Sequence, residues 1–330
     1  MGKANYLYDF VIPSGMHKSI LVTGGAGFIG SHLCEALLEK DCNVMAVDNF
    51  NDYYNPKIKE NNIKGLLENK RFSLYRSDIT DLNALEAIFR KSSIDAVLHI
   101  AARAGVRASI ENPFIYVKAN IEGTLNVLEI AKKFRIKKLV FASSSSVYGL
   151  SKVPFSERMN VNSPMSPYAA TKASCELLCR NYSNLYGIPA VCLRLFTVYG
   201  PRGRPDMAPY KFMKLLLEEK ELPIYGDGTS KRDYTYVQDI VAGIIASMEK
   251  EINFEIINLG NSNPVGLRQF IAILEKHTGK KAKIKKMPEQ QGDVPITYAD
   301  ISKAGNLLGW KPKVSLDEGT KKMVGWYKEL

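Results

Sequence analysis

Ser19-Ile20-Leu21-Val22-Thr23, followed at once by Gly24-Gly25-Ala26-Gly27-Phe28-Ile29-Gly30, is the stretch of this 330-residue sequence that decides the fold. The first five residues are β-rich, and apolar residues recur at helical spacing from Leu33 to Leu38, so the pattern predicts a strand, a tight turn and a helix. Gly25, Gly27 and Gly30 fit the pattern G-x-G-x-x-G. The set Gly24, Gly27 and Gly30 also fits G-x-x-G-x-x-G. Glycines at this spacing let the backbone approach a pyrophosphate at the N-terminus of a helix.

The next predicted strand, Asn43 to Val47, ends in Asp48, which lies 18 residues beyond Gly30. A dinucleotide-binding turn is expected to have an acid near this position, where its carboxylate bonds the adenosine ribose. An acid there also repels a 2′-phosphate, so the sequence favours NAD over NADP. The alternative interpretation is an aspartate that only caps a helix.

Strands and helices alternate through the first part of the chain. The later predicted strands are 72–76, 95–100, 138–142 and 190–195, and the predicted helices include 82–90 and 113–134. This alternation predicts a Rossmann-type α/β fold, a doubly wound parallel sheet that is covered by helices on both faces. We expect residues 18–195 to form this NAD-binding domain, after an N-terminal extension of residues 1–17.

Residues 196–330 differ in composition and predict a smaller unit. They begin with a basic, turn-rich loop at 200–206. The predicted helices are 208–219, 236–249 and 266–277, and the predicted strands are 222–225, 254–259 and 282–286. We expect a discontinuous α/β substrate domain that packs across the carboxyl edge of the main sheet, with segment 254–259 extending that sheet.

Composition limits the classes of partner and compartment. Lysine and arginine outnumber the acids by 45 to 34, a formal charge of +11, but they are scattered and no nucleic-acid reader motif accompanies them. Nucleic acid is therefore not the favoured partner. A small phosphorylated ligand would also explain the positive charge, and so would a role of the charge in solubility alone. No apolar run reaches the roughly 18 residues that span a membrane, and residues 1–15 do not follow a signal-peptide pattern. The five cysteines fit neither a disulfide framework nor a metal-ligand spacing, so we expect a cytoplasmic protein without a metal site.

Polar side chains with catalytic potential follow the predicted strands. The loop 100–105 and the serine run 143–146 both begin at the carboxyl end of a strand, where ligands of open α/β sheets bind. Tyr168 and Lys172 lie four residues apart, and therefore on one face, of the helix that follows. A free tyrosine has a pKa of about 10, and a nearby cation that favours the phenolate makes it a usable base. The alternative is a packed tyrosine beside a solvated lysine.

Together, the glycine turn, the strand-end aspartate, the serine run and the Y-x-x-x-K motif resemble the extended short-chain dehydrogenase/reductase family from about residue 18 onward. The resemblance implies that Tyr168 is the catalytic acid and base, that Lys172 assists it and binds the nicotinamide ribose, and that Ser144 holds the reacting hydroxyl. Asn120 matches the asparagine that organises this site. The resemblance implies NAD as cofactor, in contact with Gly24, Gly27, Phe28, Ile29, Gly30, Asp48, Asn49, Asp78, Ile79, Ala101, Ala102, Asn120, Tyr168 and Lys172.

Four further segments narrow the resemblance to UDP-glucuronate 4-epimerases; they are 104–107, 196–201, 203–208 and 291–294. Arg204 matches the arginine that faces the sugar carboxylate in these enzymes, a role that suits a planar guanidinium. The alternative is a loop arginine that is exposed or paired with Asp206. Arg232 matches an arginine that contacts the pyrophosphate of UDP-sugars. The implied substrate contacts are Arg107, Ser144, Ser145, Ser146, Thr197, Arg204, Arg232 and Asp293.

Two positions depart from related patterns. Nucleotide-sugar 4,6-dehydratases have an acid pair where this chain has Ser145 and Ser146, and serines cannot do that acid-base work near neutral pH. A dehydratase is therefore not expected. Arg103 stands where many UDP-glucuronate epimerases have glutamine, and the sequence leaves its effect open.

The resemblance implies NAD-dependent 4-epimerisation of UDP-glucuronate to UDP-galacturonate through a transient 4-keto sugar. Three alternatives stay open: a 4-epimerase of UDP-glucose or UDP-N-acetylglucosamine, a UDP-glucuronate decarboxylase, and a non-catalytic NAD-binding scaffold. The family commonly dimerises through helices that correspond here to 113–134 and 167–187. We therefore expect a homodimer with no membrane partner and no nucleic-acid partner.

Overall fold

A computed structural model describes residues 18–288 and 294–330. The predicted N-terminal extension, residues 1–17, and the predicted substrate contact Asp293 lie outside the described residues. Both predicted units are otherwise covered.

Seven strands form the central sheet, and each neighbouring pair is parallel. They are β1 (Ser19–Thr23), β2 (Asn43–Asp48), β3 (Phe72–Arg76), β4 (Ala96–His99), β5 (Lys138–Ser144), β6 (Ala190–Leu195) and β10 (Phe254–Leu259). Their order across the sheet is β10-β6-β5-β4-β1-β2-β3, so the direction of strand addition reverses between β1 and β4. Open α/β sheets bind ligands at such a reversal. The predicted fold class is confirmed.

Helices cover both faces of this sheet. In chain order the helices are α1 (Phe28–Glu39), α2 (Pro56–Ile63), α3 (Leu82–Lys91), α4 (Val106–Glu111), α5 (Pro113–Tyr116), α6 (Gly123–Phe134), α7 (Pro167–Tyr186), α8 (Ala208–Leu217), α9 (Val237–Glu249), α10 (Leu267–Thr278), α11 (Ser302–Leu308) and α12 (Leu316–Lys328). Some of them, among them α8, α10 and α12, pack instead on small sheets outside the main one or on one another. Successive strand side chains point to opposite faces. Ile20 and Val22 accordingly join the core that includes apolar residues of α1 and α9, whereas Leu21 joins the core that includes those of α3, α6 and α7.

Five further strands form two small sheets outside the main one. These strands are β7 (Thr197–Tyr199), β8 (Glu221–Tyr225), β9 (Lys231–Tyr236), β11 (Pro264–Gly266) and β12 (Lys283–Met287). The sheet orders are β11-β9-β7 and β12-β8. β7 follows β6 almost directly, and β10 returns from this second region to pair with β6. The division of the chain into domains near residue 195 stays a prediction.

Two predicted elements differ in detail from the structure. The helix predicted over 113–134 consists of α5, a π turn at Val117–Glu122 and α6, and the π turn contains Asn120. β5 continues beyond its predicted end because Ser143 and Ser144 still pair with β6. Strand β5 therefore carries Ser143 and Ser144 at its carboxyl end.

His99, at the end of β4, is fully buried between three elements. Its Nδ1 lies 2.7 Å from Oγ1 of Thr23 in β1, and its Nε2 lies 3.1 Å from Oγ1 of Thr124 in α6. Burial, and secondarily the charge of Lys172, lowers the pKa of His99 from 6.5 to about 3. The fold therefore holds this histidine neutral.

Acid should destabilise the protein through His99. Because its pKa is lower in the folded state, stability is fully present above about pH 6.5 and is lost as the pH falls towards about 3. Between about pH 7.5 and about pH 5, this histidine should lower the free energy of unfolding by about 2 kcal/mol. Urea unfolding of the wild type and of His99→Gln at both pH values measures this, and the pH-dependent loss should be smaller by that amount in the variant. Equal losses in the two proteins would contradict the assignment.

Candidate active site

The loops that follow β1, β2, β4 and β5 surround a cavity of about 610 Å³. Because parallel strands end at the same edge of a sheet, one cavity collects residues from many loops. The predicted site residues that line it are Gly24, Gly27, Phe28, Ile29, Gly30, Asp48, Asn49, Asp78, Ile79, Ala101, Ala102, Ser144, Ser145, Ser146, Tyr168, Lys172, Thr197 and Arg204.

The glycine turn brings backbone into contact with backbone at the start of α1. A Cβ atom at Gly30 would lie 2.0 Å from the carbonyl oxygen of Gly24, so a larger residue would force the turn to move. α1 begins directly after Gly27, and its first residue, Phe28, lines the cavity. The helix N-terminus thus presents N–H groups and the positive end of its dipole to a ligand, an arrangement that fits a pyrophosphate.

Asp48, at the end of β2, is already bound by protein groups. Its Oδ1 accepts hydrogen bonds from Nζ of Lys59 and from the backbone N–H of Phe50, both at 2.9 Å. Its Oδ2 accepts from the N–H of Ala26 at 3.2 Å. Asp48 therefore also fixes the glycine turn to the loop after β2, and the buried Lys59 offsets part of its negative charge.

Asn49 and Asp78 come from neighbouring strand-end loops and meet in the cavity wall. Nδ2 of Asn49 donates to Oδ2 of Asp78 at 2.6 Å, and the N–H and hydroxyl of Thr80 donate to Oδ1. Burial tends to raise the pKa of Asp78, but these hydrogen bonds outweigh it and hold the pKa below its ordinary value. Asp78 thus stays a charged acceptor.

The first turns of α7 deliver the tyrosine and the lysine to the cavity. Ser166 caps the helix by accepting from the N–H of Ala169 at 3.1 Å, and Pro167 occupies the first helical position. Lys172 is buried, and its Nζ donates to the carbonyl oxygen of Ala142 in β5 at 2.6 Å. The half-buried Tyr168 packs edge to face against Tyr116, with ring centroids 6.3 Å apart. The Y-x-x-x-K pair is therefore anchored to the sheet and open to the cavity.

A buried ion pair supports the serine run from below. Ser143 donates to Oε1 of Glu176 at 2.5 Å, and Glu176 accepts from Nε and Nη2 of Arg194 at 2.9 and 2.6 Å. Burial tends to lower the pKa of Arg194, but Glu176 raises it above its ordinary value. Above this pair, Oγ of Ser144 accepts from the N–H of Ser146 at 3.1 Å. The last strand residues and the serine loop are thus held in one conformation.

Arg204 lies in the wall of the same cavity as Tyr168, with 20% of its side chain exposed. Its Nε and Nη2 donate to Asp206 at 3.0 and 2.5 Å. Burial tends to lower the pKa of Arg204, but the charge of Asp206 raises it above its ordinary value. The pairing with Asp206 that the sequence left open is therefore present, and it coexists with a position in the cavity.

Four predicted site residues are not placed in the cavity wall. Asn120 is buried, and its side chain bonds both the N–H and the carbonyl of Arg103 as well as the hydroxyl of Thr171, so it supports the site from behind. Arg107 stacks on Tyr225 with 4.7 Å to the ring centroid, and Nη1 of Arg232 donates to the backbone of its own neighbour. The fourth, Asp293, is outside the described residues.

Within residues 18–288 and 294–330, no three histidine, cysteine, aspartate or glutamate side chains lie together as a metal ion requires. The donors around the cavity are instead backbone N–H groups, hydroxyls, amides and cations, a set that fits a dinucleotide and a phosphorylated sugar.

Comparison with known proteins identifies the family. A family profile described as GDP-mannose 4,6 dehydratase matches residues 21–323. The chain is 51% identical over 310 residues to the UDP-glucuronate 4-epimerase of Thermodesulfobacterium geofontis, with 94% of this chain and 96% of that protein covered. The chain belongs to the extended short-chain dehydrogenase/reductase family.

Solved structures resemble this short-chain dehydrogenase/reductase over nearly its whole length. The UDP-glucuronic acid 4-epimerase of Bacillus cereus, in complex with UDP-glucuronic acid and NAD, is 42% identical with a TM-score of 0.89, covering 94% of this chain and 99% of that one. The UDP-glucose 4-epimerase of Thermotoga maritima, with UDP-glucose, is 35% identical with a TM-score of 0.87 and the same two coverages.

Several residues of this short-chain dehydrogenase/reductase site were missed by sequence reasoning. Lys59 and Tyr53 line the cavity, whereas Glu176 and Arg194 hold it from below. Lys59 lies in a helix rich in lysine and asparagine, where nothing distinguishes it from its exposed neighbours. The one available signal was Arg194, since a charged residue inside an apolar strand requires a buried partner.

Proposed function

We propose that this protein is an NAD-dependent UDP-sugar 4-epimerase that interconverts UDP-glucuronate and UDP-galacturonate. One observation carries the choice of sugar: Arg204 lines the same cavity as Tyr168, Lys172 and Ser144. A guanidinium binds a carboxylate with two parallel hydrogen bonds, which a neutral sugar cannot form. The uronate epimerases among its relatives support the same choice.

The proton chemistry is assigned to the helix-borne pair. Tyr168 in its phenolate form, which the positive charge of Lys172 stabilises, takes the proton from the 4-hydroxyl of the sugar and becomes a neutral phenol. Ser144 donates a hydrogen bond that holds the reacting oxygen. When bound, NAD supplies the hydride acceptor and donor for C4. After the 4-keto sugar turns over in the cavity, Tyr168 returns the proton, and no net oxidation results.

The two units divide the binding work in this proposal. Residues 18–195 contribute the glycine turn and Asp48, which fit the NAD pyrophosphate and ribose. Residues 196–330 contribute Thr197 and Arg204 for the sugar, and Arg232 for the UDP pyrophosphate.

Arg204 has a second role in this mechanism. The 4-keto uronate is a β-keto acid, which loses carbon dioxide when the bond to its carboxylate aligns with the ketone. A guanidinium that holds the carboxylate can keep that bond out of alignment. This assignment favours an epimerase over a decarboxylase with the same first step.

Product analysis tests the proposed reaction against its alternatives. The purified protein is incubated with UDP-glucuronate, UDP-glucose or UDP-N-acetylglucosamine, and the products are identified by NMR. UDP-galacturonate is expected from the first. Carbon dioxide with a UDP-pentose would indicate a decarboxylase, a neutral epimer would indicate a neutral-sugar epimerase, and no product would indicate a scaffold.

Tyr168→Phe should reduce turnover of UDP-glucuronate by about 10²- to 10⁴-fold, since it removes the acid-base group. The amount of NAD that co-purifies should stay near the wild-type level. Tyr75→Phe is the matched control, because Tyr75 packs against the sheet core in β3 and should leave turnover unchanged. Near-normal turnover in Tyr168→Phe would rule out the assigned role.

Arg204→Ala should lower kcat/KM for UDP-glucuronate by about tenfold to a hundredfold, because a charge-assisted hydrogen-bonding partner of the carboxylate is lost. The fraction of turnovers that release carbon dioxide should rise. Arg90→Ala, which changes only a surface pair with Glu86, serves as the control. Unchanged kinetics and product ratio in Arg204→Ala would contradict the assignment.

We further propose that the protein is a homodimer whose interface includes α5 and α7. Phe114 is 83% exposed, and Leu177 and Leu185 are 70% and 63% exposed on one face of α7, which is unusual for large apolar side chains on a free surface. Light scattering should give about twice the mass of one chain for the wild type and one chain for Leu177→Asp/Leu185→Asp. A monomeric wild type would contradict the dimer.

Cytoplasmic residence is also part of the proposal. All five cysteines are free and buried, as suits a reducing compartment. Within the described residues, none of the helices combines the length and apolar character needed to cross a membrane. Recovery of the native protein in the secreted or membrane fraction of its host would contradict this placement.

A further inference from the structure

The guanidinium of Arg204 is bound along one edge by a carboxylate of its own loop. Asp206 accepts from Nε and Nη2, at 3.0 and 2.5 Å. A guanidinium has five N–H donors in a fixed fork, so the two donors on Nη1 and the second donor on Nη2 lie outside this pairing. Asp206 can therefore fix the direction of Arg204 while the N–H groups along the other edge donate to a second carboxylate.

Tyr53, from the loop after β2, contacts both members of this pair. Its hydroxyl donates to Oδ2 of Asp206 at 3.3 Å, and its ring centroid lies 5.5 Å from the guanidinium carbon of Arg204. Gly105 leaves space for the Tyr53 hydroxyl, because a Cβ atom at position 105 would lie 2.5 Å from that oxygen. The φ of Gly105, +117°, also favours glycine. The position of Tyr53 is thus built into the loop after β4.

Arg103, the departure that the sequence left unexplained, holds Tyr53 from a second direction. Its guanidinium carbon lies 4.6 Å from the centroid of the Tyr53 ring, a favourable cation–π distance. Its Nη1 donates to Oδ1 of Asn51 at 3.3 Å, and the same oxygen accepts from the N–H of Tyr53. Both backbone groups of Arg103 are bonded to Asn120. Arg103 therefore ties the loop after β4 to the loop after β2.

We propose that Tyr53 and Asp206 are positioning residues that select an acidic sugar, and that Arg103 keeps Tyr53 in place. The proposal rests on the proposed function, because it assigns these residues to the carboxylate-binding role of Arg204. A long, flexible arginine loses conformational freedom when it binds a ligand, and a side chain that is held beforehand loses less. Holding Arg204 beforehand therefore raises the affinity for a sugar with a carboxylate and leaves the affinity for its neutral analogue unchanged.

Calorimetry on NAD-loaded protein tests the proposal without requiring turnover. The dissociation constants of UDP-glucuronate and UDP-glucose are measured for the wild type, Asp206→Asn, Tyr53→Phe and Arg103→Gln. The constant for UDP-glucuronate should rise about three- to tenfold in Asp206→Asn, and less in the other two, while that for UDP-glucose stays unchanged. Asp206→Glu should recover part of the affinity, and Tyr75→Phe should match the wild type.

Three results would overturn the proposal. Tighter binding of UDP-glucuronate by Asp206→Asn would show that Asp206 competes with the substrate for Arg204. Equal weakening of both ligands would show a general structural role, and loss of NAD from Arg103→Gln would assign that residue to the cofactor. Failure of the proposed function is a separate result, because a wild type that binds UDP-glucuronate without epimerising it still allows these affinities to be compared.

Discussion

Parallel pairing of β1, β4, β5 and β6 is the constraint on which the rest of the structure depends. Parallel strands all end at one edge, so the glycine turn, the loop after β4 and the serine run are brought together whatever their separation in sequence. The reversal of strand order between β1 and β4 opens the cleft at that edge. The strand topology therefore determines where the site lies, and the individual side chains then determine its chemistry.

Buried polar contacts hold the elements at this edge together. Glu176 and Arg194 connect α7 to β6 and hold Ser143, while Asn120 connects the loop after β4 to α7. Removing one partner of a buried ion pair commonly costs about 3–5 kcal/mol, because it leaves an uncompensated charge. Glu176, Arg194 and Asn120 do not line the cavity, so the positions of Tyr168 and Lys172 depend on side chains that lie behind the cavity wall.

The features that could be predicted from the sequence are those that show as a periodic pattern of apolar residues or as a fixed spacing between nearby residues. The glycine turn, the alternation of strands and helices, and the four-residue separation of Tyr168 and Lys172 can each be read within a few residues. Contacts between side chains that lie far apart in the sequence cannot be predicted in this way. Tyr53 meets Asp206 across 153 residues, and nothing near either residue in the sequence indicates the other. The π turn at Asn120 is similar, since its main consequence is a set of contacts with Arg103 and Thr171.

The residues proposed for catalysis and those proposed for sugar selection lie on elements that are packed to different degrees. Lys172 and the end of β5 belong to the buried sheet-and-helix core, where a change disturbs packing. Arg204 belongs to a surface loop that is held to α1 by the contact of His32 with the carbonyl of Pro201 and by the pairing of Arg202 with Glu35. Residues at the tip of a loop that is anchored at its base can be substituted without disturbing the core. Under the proposed function, the same acid-base pair can therefore serve sugars of different charge, and the loop that carries Arg204 decides which sugar is bound beside it.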